Sequence, residues 1–569
     1  MRTVLILCSI LNFFYASAQF FETPEYPRGY FRNPLNIPIS LSGNFGELRP
    51  NHYHMGLDIR TNKVQNLHVF AAADGYIARI KIEPGGFGRA IYINHPNGYT
   101  TLYAHLNNFF PALEQYLKQQ QYAKESWAVQ LDLTPDQFPV KKGDFIAYSG
   151  NTGGSQAPHL HWEIRRTADD VNLNPMLFGM PLPDNTTPNI LRLAIYDRTK
   201  SIYESSPRLI PVKKTGNNFI TTPSTITVAF PKLSLALTAY DTHSGSTNPN
   251  GIFESQLYSD DEPIVAFRMN NISYNDTRYL NAHIDYRTRA TGGPYLQQLF
   301  ELPGYINSIY KKAKSDGVLD LSDGVPHAIK IIVKDANGNT STLTTTVKYD
   351  ASLSHETATP PGKLFYPTMV DAFEADNAEF YVGETSLYDS VHIKYTPGPA
   401  TAAGAVSMAH VIGASYIPLQ SPITIRIKPF RPIMPDERDK IIMLRTSGAS
   451  KEVQKVVWNN EWASARFRDF GSFQLVFDDE PPTIVPVGFA NGANMSKASR
   501  IVFTVKDNNN AFRNFRAELD GKWLRFTNDK GRSFIYNFDE KCPAGEHDLK
   551  VRVQDEAGNV TERTYHFIR

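Results

Sequence analysis

The chain has 569 residues, which is too long for one hydrophobic core, so three to four domains are expected. Its 58 Lys and Arg balance 57 Asp and Glu. The net charge of +1 therefore gives no electrostatic reason to expect nucleic acid or an anionic membrane as the main partner. The hydrophobic content of 41% excludes a largely disordered chain, and abundant Tyr, Phe, Pro and Gly with few helical patterns indicate a mainly β fold.

Residues 1–18 are predicted to be a secretory signal peptide. An early arginine precedes the apolar run Val4–Tyr15, and the small residues Ala16–Ala18 place the cleavage site before Gln19. No other apolar run is long enough to span a bilayer. We therefore expect an exported protein without a transmembrane anchor after signal removal, located in a bacterial periplasm or cell envelope, or secreted.

The segment 19–183 reads as short strands separated by glycine turns. The pair Asn97-Gly98 between "AIYINH" and "YTTLYAHL" predicts a tight hairpin. Within a longer insertion at about 107–139, the stretch Pro111–Trp127 has apolar residues at helical spacing and predicts an amphipathic helix beside the strands.

The rest of the chain contains a repeat. The segment "GVPHAIKIIVKDANGNTSTLTTTV" matches "AGEHDLKVRVQDEAGNVTERTYHF", and similar linkers begin at Asp184 and Asp478. Each copy predicts a β-hairpin of the kind that closes an immunoglobulin-like sandwich, and the D-x-x-G-N turn resembles bacterial Ig-like modules. We expect Ig-like domains at 184–350 and 480–569, with a β module of uncertain type at 360–478 between them.

Histidines are concentrated near the amino terminus, where the spacing of a few of them predicts a metal site. Since alternate residues of a strand point to one face, His159 and His161 in "PHLHWEIR" would face one object. His54 and Asp58 have the spacing H-x-x-x-D around a glycine, with His52 as a competitor. A catalytic zinc site needs three protein ligands and one open position. His54, Asp58 and one histidine of the pair supply that number.

Two imidazoles would then remain near the metal without binding it, one from the pair and His105 in "YAHL". Such groups can orient water, stabilise an oxyanion and carry a proton to a leaving amine. The predicted chemistry is metal-assisted hydrolysis of an amide. Glu163 shares a face with His161 and is either an orienting partner of that ligand or a member of a surface ion pair.

The order H-x-x-x-D, Y-A-H-L, S-G-N-T-G-x-S and P-H-L-H-W-E-I-R resembles the lysostaphin/LytM-type zinc metallopeptidases, which cleave peptide bonds in peptidoglycan. The resemblance covers roughly residues 40–170. It implies an antiparallel β fold with a groove and one zinc ion per catalytic domain. It also assigns five residues, with His54, Asp58 and His161 as metal ligands and His105 and His159 as catalytic histidines.

The resemblance implies a secreted zinc metalloendopeptidase that hydrolyses peptide stems or cross-links of bacterial peptidoglycan. The alternative is a catalytically silent LytM-type regulator that recruits or activates another wall hydrolase. A third hypothesis is an adhesion or scaffold protein whose main role lies in the β modules. Under the peptidase hypothesis the Ig-like modules are expected to position the protein or to bind an envelope protein partner.

Overall fold

The computed structural model shows a mainly β chain, which confirms the predicted fold class. The predicted signal peptide lies outside the residues that it describes. Within the described part of the chain, no helix is both long and apolar enough to cross a membrane. The described ranges are 20–22, 24–216, 218–353, 358–531 and 533–569.

Two larger antiparallel sheets and a two-stranded one, Leu48–Arg49 with His52–Tyr53, build the described part of the amino-terminal region. Its principal strands and single α-helix are β1 (Leu41–Gly43), β2 (Leu57–Arg60), β3 (His68–Phe70), β4 (Gly75–Ile82), β5 (Arg89–Asn94), β6 (Tyr99–Ala104), β7 (Leu106–Phe109), α1 (Pro111–Ala123), β8 (Val129–Asp132), β9 (Phe145–Ser149) and β10 (His159–Arg166). The main sheet has the order β1-β2-β10-β6-β5-β4-β8, and the smaller sheet has the order β3-β9-β7. Strands β5 and β6 form the predicted hairpin at the Asn97-Gly98 turn.

Strand β10 shows how the sequence places polar groups on one face of the main sheet. Leu160, Trp162 and Ile164 are fully buried in the apolar core of this region. The alternate residues His159, His161 and Glu163 point to the opposite face, as the period of two requires. Burial of the apolar residues therefore fixes the strand register and presents both histidines on the other side.

The insertion after β7 becomes part of the core. Helix α1 begins with Pro111 in its first turn and buries Leu113 and Leu117 completely. The helix ends at Ala123, four residues before the predicted end, and the chain then adds β8 to the edge of the main sheet. The insertion is consequently packed into the domain through both a helix and a strand.

The remaining described chain is folded into further sheets. Residues 184–350 contain an 11-stranded sheet of Asn189–Asp197, Arg208–Thr215, Asn218–Val228, Lys232–Tyr240, Glu254–Ser259, Glu262–Arg268, Gln297–Gln298, Tyr310–Lys312, Leu319–Asp320, His327–Lys334 and Thr340–Tyr349, with short helices Leu280–His283 and Tyr286–Ala290. Residues 360–478 contain one two-stranded sheet, Lys363–Phe365 with Val391–Ile393, and two five-stranded sheets. The first five-stranded sheet consists of Asp371–Glu374, Ala378–Val382, Pro418–Ile427, Trp462–Asp469 and Val457–Asn459. The second consists of Tyr395–Gly398, Ala409–Ile412, Gly471–Phe477, Ile441–Ser447 and Ser450–Lys455. Residues 480–569 contain two sheets. The three-stranded sheet consists of Thr483–Pro486, Arg500–Lys506 and Ser533–Asn537. The five-stranded sheet consists of Ala493–Asn494, Val560–Ile568, Glu546–Asp555, Phe512–Leu519 and Lys522–Trp523.

The amino-terminal region is joined to the following one by backbone and by apolar contacts. Asn172–Leu173, which pairs with β10, also pairs with Asn271–Ile272 of the next region, so the main sheet continues across the boundary. Phe45, Tyr53 and Met55 belong to the same buried apolar cluster as residues of the 11-stranded sheet. The two regions therefore share both a sheet and a core.

Candidate metal centre

Three neighbouring strands place the predicted site residues together. His161 on β10 lies directly opposite Asp58 on β2 and opposite Ala104 on β6. His105 follows Ala104 and has a φ of 59°, which turns its side chain out of the strand alternation. Together with His159 on β10, these residues form one cluster on the polar face of the main sheet.

A glycine allows β2 to lie close enough to β10. A β-carbon on Gly56 would collide with the backbone oxygen of Trp162, and the close approach of the two strands therefore requires glycine here. Gly56 stands between His54 and Asp58, so the same close approach brings both of these side chains against β10.

His54, Asp58 and His161 converge on a single point. His54 Nε2 lies 3.0 Å from Asp58 Oδ1 and 3.0 Å from His161 Nδ1, and His161 Nδ1 lies 2.9 Å from Asp58 Oδ1. The three residues are only 4%, 4% and 6% exposed. Three nitrogen and oxygen ligand atoms therefore meet within one buried cluster.

The outward-facing nitrogens of the two imidazoles have other partners. His54 Nδ1 donates to the backbone oxygen of Asn44 at 2.7 Å, and His161 Nε2 donates to Glu163 Oε1 at 2.8 Å. His54 Nε2 and His161 Nδ1 are thus directed with their lone pairs at each other and at Asp58. Such an arrangement requires a positive charge at its centre, either a proton or a metal ion.

The donor set fits Zn²⁺. Two imidazole nitrogens and one carboxylate oxygen are ligands that this ion favours. Ligand atoms around a tetrahedral zinc ion stand about 3.3 Å apart, so a small outward shift of the three atoms would accommodate it. Three protein ligands also leave the fourth position open, which is the arrangement of a catalytic zinc site.

The pKa values of the cluster reflect its need for a cation. Burial lowers the pKa of His54 to about 4. Burial acts in the same direction on His161, but its hydrogen bonds to Asp58 and Glu163 outweigh it and raise the pKa to about 9. Burial acts to raise the pKa of Asp58, but His54 and the other imidazoles hold it well below its usual range. In the metal-free protein, a proton on His161 offsets the carboxylate, and a metal ion would displace it.

A polar cluster behind His161 fixes the orientation of that ring. Glu163 is fully buried and accepts hydrogen bonds from Tyr274 Oη at 2.6 Å, from Arg165 Nε at 2.7 Å and from Asn172 Nδ2 at 2.7 Å. Burial acts to raise the pKa of Glu163, but Arg165 and His161 lower it to about 2. An ionised Glu163 therefore faces His161 at neutral pH.

Asp58 has a cationic partner on its other oxygen. Arg49 Nη2 lies 2.6 Å from Asp58 Oδ2, leaving Oδ1 directed at the two imidazoles. A β-carbon on Gly43 would lie against this guanidinium group, so glycine leaves room for the pair. The arrangement fixes which carboxylate oxygen faces the centre.

His105 and His159 lie beside the three-residue cluster. Their ring centroids are 4.8 Å apart, and His105 is 5.8 Å from the ring of His161. His105 Nδ1 donates to the backbone oxygen of Thr152 at 2.9 Å, whereas His159 Nε2 lies 3.2 Å from Asp58 Oδ1. Two further imidazoles thus border the centre.

Comparison with known families agrees with this geometry. The model of peptidase family M23 matches residues 52–124 and 128–175. The part of the chain that this model matches is called the M23 domain below. The predicted lysostaphin/LytM-type resemblance is confirmed. A second model, that of the Zu5-like domain, matches residues 363–478.

Relatives of the M23 domain are found in several bacteria. An uncharacterized metalloprotease of Haemophilus influenzae is 31% identical over 163 residues, covering 27% of this chain and 28% of the relative. The DD-carboxypeptidase/endopeptidase Mpg of Neisseria meningitidis is 33% identical over 159 residues, covering 28% and 30%. The cell division protein DipM of Caulobacter vibrioides is 30% identical over 138 residues, covering 24% and 18%. The matches span less than a third of each relative.

Two solved structures are also similar to the M23 domain. The catalytic domain of the M23 protein EnpA from Enterococcus faecalis has 19% identity and a TM-score of 0.20, covering 26% of this chain and 99% of that one. The catalytic domain of lysostaphin from Staphylococcus simulans has 24% identity and a TM-score of 0.17, covering 24% and 87%.

The M23 domain brings together all five predicted site residues. His52 is instead exposed and bonded to the backbone oxygen of Pro50, so the predicted competitor is not part of the cluster. Sequence reasoning anticipated Glu163 but missed Tyr274, Arg49 and Asn44. Their roles depend on contacts with the five residues, and these contacts cannot be predicted from spacing in the sequence.

The carboxy-terminal region also borders the M23 domain. Lys530 Nζ donates to the backbone oxygen of Ser155 at 2.6 Å, and Ser155 Oγ lies 3.2 Å from His159 Nδ1. Farther along α1, the Tyr122 ring meets Trp523 with centroids 5.2 Å apart. A cleft of about 850 Å³ separates α1 from Glu540 and Lys541. Residues of the last β region thus lie next to the candidate site.

Proposed function

We propose that this protein is an exported zinc metalloendopeptidase that hydrolyses peptide bonds of bacterial peptidoglycan. The observation that carries the proposal is the convergence of His54 Nε2, Asp58 Oδ1 and His161 Nδ1 within 3.0 Å of one another. Three buried ligands with an open fourth position are typical of a catalytic zinc site rather than of a closed structural site.

The three ligands would hold the ion on the polar face of the main sheet. Zinc bound there would supply Lewis acidity, polarising the scissile carbonyl and making water a stronger nucleophile. Asn44 and Glu163 would keep the two imidazoles oriented through their outer nitrogens. Arg49 would hold Asp58 in the orientation that presents Oδ1.

His105 and His159 would handle the protons. Burial lowers the pKa of His105 to about 3, so this ring is neutral at physiological pH. Because its Nδ1 proton is bonded to Thr152, its Nε2 is free to accept a proton from the attacking water. His159 is partly exposed and its Nδ1 lies 2.8 Å from the backbone oxygen of Ala157. Its Nε2, when protonated, would donate to the developing oxyanion or to the leaving amine.

The substrate class rests on the relatives. One is named a DD-carboxypeptidase/endopeptidase and another a cell division protein, and both names fit work on the cell wall. The predicted signal peptide would bring the chain to that substrate. The presence of all five residues argues against a silent regulator, which could dispense with the ligands.

The proposal is tested with the full chain and purified peptidoglycan. We expect release of soluble stem peptides that stops with a chelator and returns with added zinc. His161→Ala should release none, whereas the matched control His52→Ala should behave as wild type because His52 lies outside the cluster. A folded, zinc-loaded wild-type protein that releases no peptide, but stimulates another wall hydrolase, would instead support the regulator.

A further inference from the structure

A second group of ligand atoms lies outside the M23 domain, where the linker enters the 11-stranded sheet. Asp184, Asp241 and His243 present ligand atoms that all lie within 4.8 Å of one another. Asp184 belongs to the linker, while Asp241 and His243 follow the strand Lys232–Tyr240. The cluster therefore ties the start of this region to the end of one of its strands.

The side chains of this cluster are buried and incompletely paired. The side chain of Asp184 is 1% exposed, and Asp241 and His243 are 2% and 7% exposed. Among the described residues, Asp184 Oδ2, Asp241 Oδ1 and both ring nitrogens of His243 have no hydrogen-bond partner. Leaving such atoms unpaired in a buried site is costly, so their convergence points to a missing ligand.

The charge of the cluster has the same implication. The carboxylates of Asp184 and Asp335 both lie near that of the buried Asp241. Asp335 is fully occupied by Asn337 and Asn339, so it contributes negative charge without offering a free ligand atom. A cation between Asp184 and Asp241 would offset this charge.

The carboxy-terminal repeat provides an internal comparison. There Asp478 occupies the linker position of Asp184, and Asp507 follows the strand Arg500–Lys506 as Asp241 follows its strand. Asn509 stands where the other copy has His243, and its Nδ2 donates to Asp478 Oδ2 at 2.8 Å. In that copy an amide pairs the carboxylate oxygen that is left without a donor in the first copy.

We propose that Asp184, Asp241 and His243 bind a divalent transition-metal ion of the Zn²⁺ type. This site is separate from the cluster of His54, Asp58 and His161, which is called the M23 centre below. An imidazole with two carboxylates favours such an ion over Ca²⁺, which takes oxygen ligands. His243 Nδ1 lies 3.4 Å from Asp184 Oδ2, close to the separation of about 3.3 Å between ligands of tetrahedral zinc.

This ion would stabilise a loop that supports the M23 centre. The loop after His243 reaches Gly251, whose backbone exchanges two hydrogen bonds with the side chain of Asn44, at 2.8 and 2.9 Å. The backbone oxygen of Asn44 in turn holds the ring of His54. The proposed site is therefore linked through this loop to one ligand of the other centre.

The test is a titration of the metal-depleted full chain with ZnCl₂ alone, with bound zinc counted by elemental analysis after dialysis. We expect two zinc ions per wild-type chain, one in His161→Ala, one in His243→Asn and none in the double variant. His243→Asn copies the arrangement at Asn509, so it should remain folded by circular dichroism. In the His161→Ala background, zinc should raise the melting temperature, and His243→Asn should abolish that rise.

A wild-type chain that binds one zinc ion, lost entirely in His161→Ala and unaffected by His243→Asn, would overturn the second site. Retention of one ion in His161→Ala that persists in His243→Asn would also overturn it, because the ion would lie elsewhere. Neither result depends on peptidase activity, so failure of this site and failure of the proposed function are distinguished.

Discussion

The hydroxyl of Tyr274 donates to Glu163 Oε1 over 2.6 Å, although the two residues are 111 positions apart. Tyr274 lies in the region that follows the M23 domain, just after the strand Asn271–Ile272 that continues the main sheet. Because Glu163 orients His161, a residue outside the M23 domain contributes to the candidate metal centre.

We expect Tyr274→Phe to weaken zinc binding at the M23 centre by about tenfold, the usual effect of removing a partner that orients a metal ligand. Competition with a chromophoric chelator measures the affinity directly, and kcat and KM on peptidoglycan peptides are read separately. Tyr305→Phe is the control, since Tyr305 also donates to a carboxylate, Asp276, but away from the centre. Equal zinc affinities in Tyr274→Phe and wild type would contradict the role assigned to Tyr274.

Gly56→Ala should separate β2 from β10 and remove zinc binding at the M23 centre. The new β-carbon would meet the backbone of Trp162, which cannot move without breaking the sheet. Gly98→Ala tests whether any glycine change has this effect, because Gly98 has a φ of 80° in an exposed turn with open space around it. It should cost only about 1 kcal/mol and leave zinc binding unchanged. Full zinc binding by Gly56→Ala would show that the strands tolerate separation.

Acid should destabilise the M23 domain through His95. This ring is 6% exposed, and burial lowers its pKa from 6.5 to about 4. The unfolded chain takes up a proton near pH 6.5, whereas the folded chain resists it until about pH 4. The contribution to stability is therefore complete above pH 6.5 and is lost as the pH falls to 4, a change of about 3 kcal/mol.

Denaturant unfolding followed between pH 7 and pH 4 measures this effect. The variant His95→Gln cannot titrate, so its stability should depend less steeply on pH than that of wild type. His52→Gln, which alters an exposed histidine, should follow the wild-type curve. Parallel curves for His95→Gln and wild type would rule out the assignment.

Trp523→Ala should loosen the carboxy-terminal region from α1. The variant removes the ring that meets Tyr122 and leaves polar contacts between the two parts. One of these is the exposed ion pair of Arg516 with Glu125 at 2.7 Å, which contributes less than about 1 kcal/mol. Amide hydrogen exchange should become faster in α1 and in the strand Phe512–Leu519, while zinc binding stays the same. Trp458→Ala, a change in the Zu5-like region, should leave hydrogen exchange in α1 and in the strand Phe512–Leu519 unaltered.

The local part of the site could be predicted from the sequence. Strand alternation determines that His159 and His161 share a face, and the H-x-x-x-D spacing identifies His54 and Asp58 as candidate ligands. The hairpin at Asn97-Gly98 follows equally from local turn chemistry. These features depend on residues that are near one another in the chain.

The contacts between regions could not be predicted in this way. Tyr274 and Lys530 reach the M23 domain through packing of segments that are far apart in sequence, and neither belongs to a periodic pattern or motif. The predicted end of α1 at Trp127 also lies four residues beyond the observed end, since the helix ends at Ala123 and β8 begins at Val129 to pair with β4. Packing between segments that are distant in the sequence determines features that local patterns do not predict.

The pairing of Asn172–Leu173 with Asn271–Ile272 has a practical consequence for anyone dissecting this molecule. A fragment ending at residue 183 would expose a bare backbone edge, which invites self-association, and would also discard the phenol that reaches Glu163. Weak hydrolysis by such a fragment would reflect the cut itself. The shortest informative truncation should keep the eleven-stranded neighbour attached.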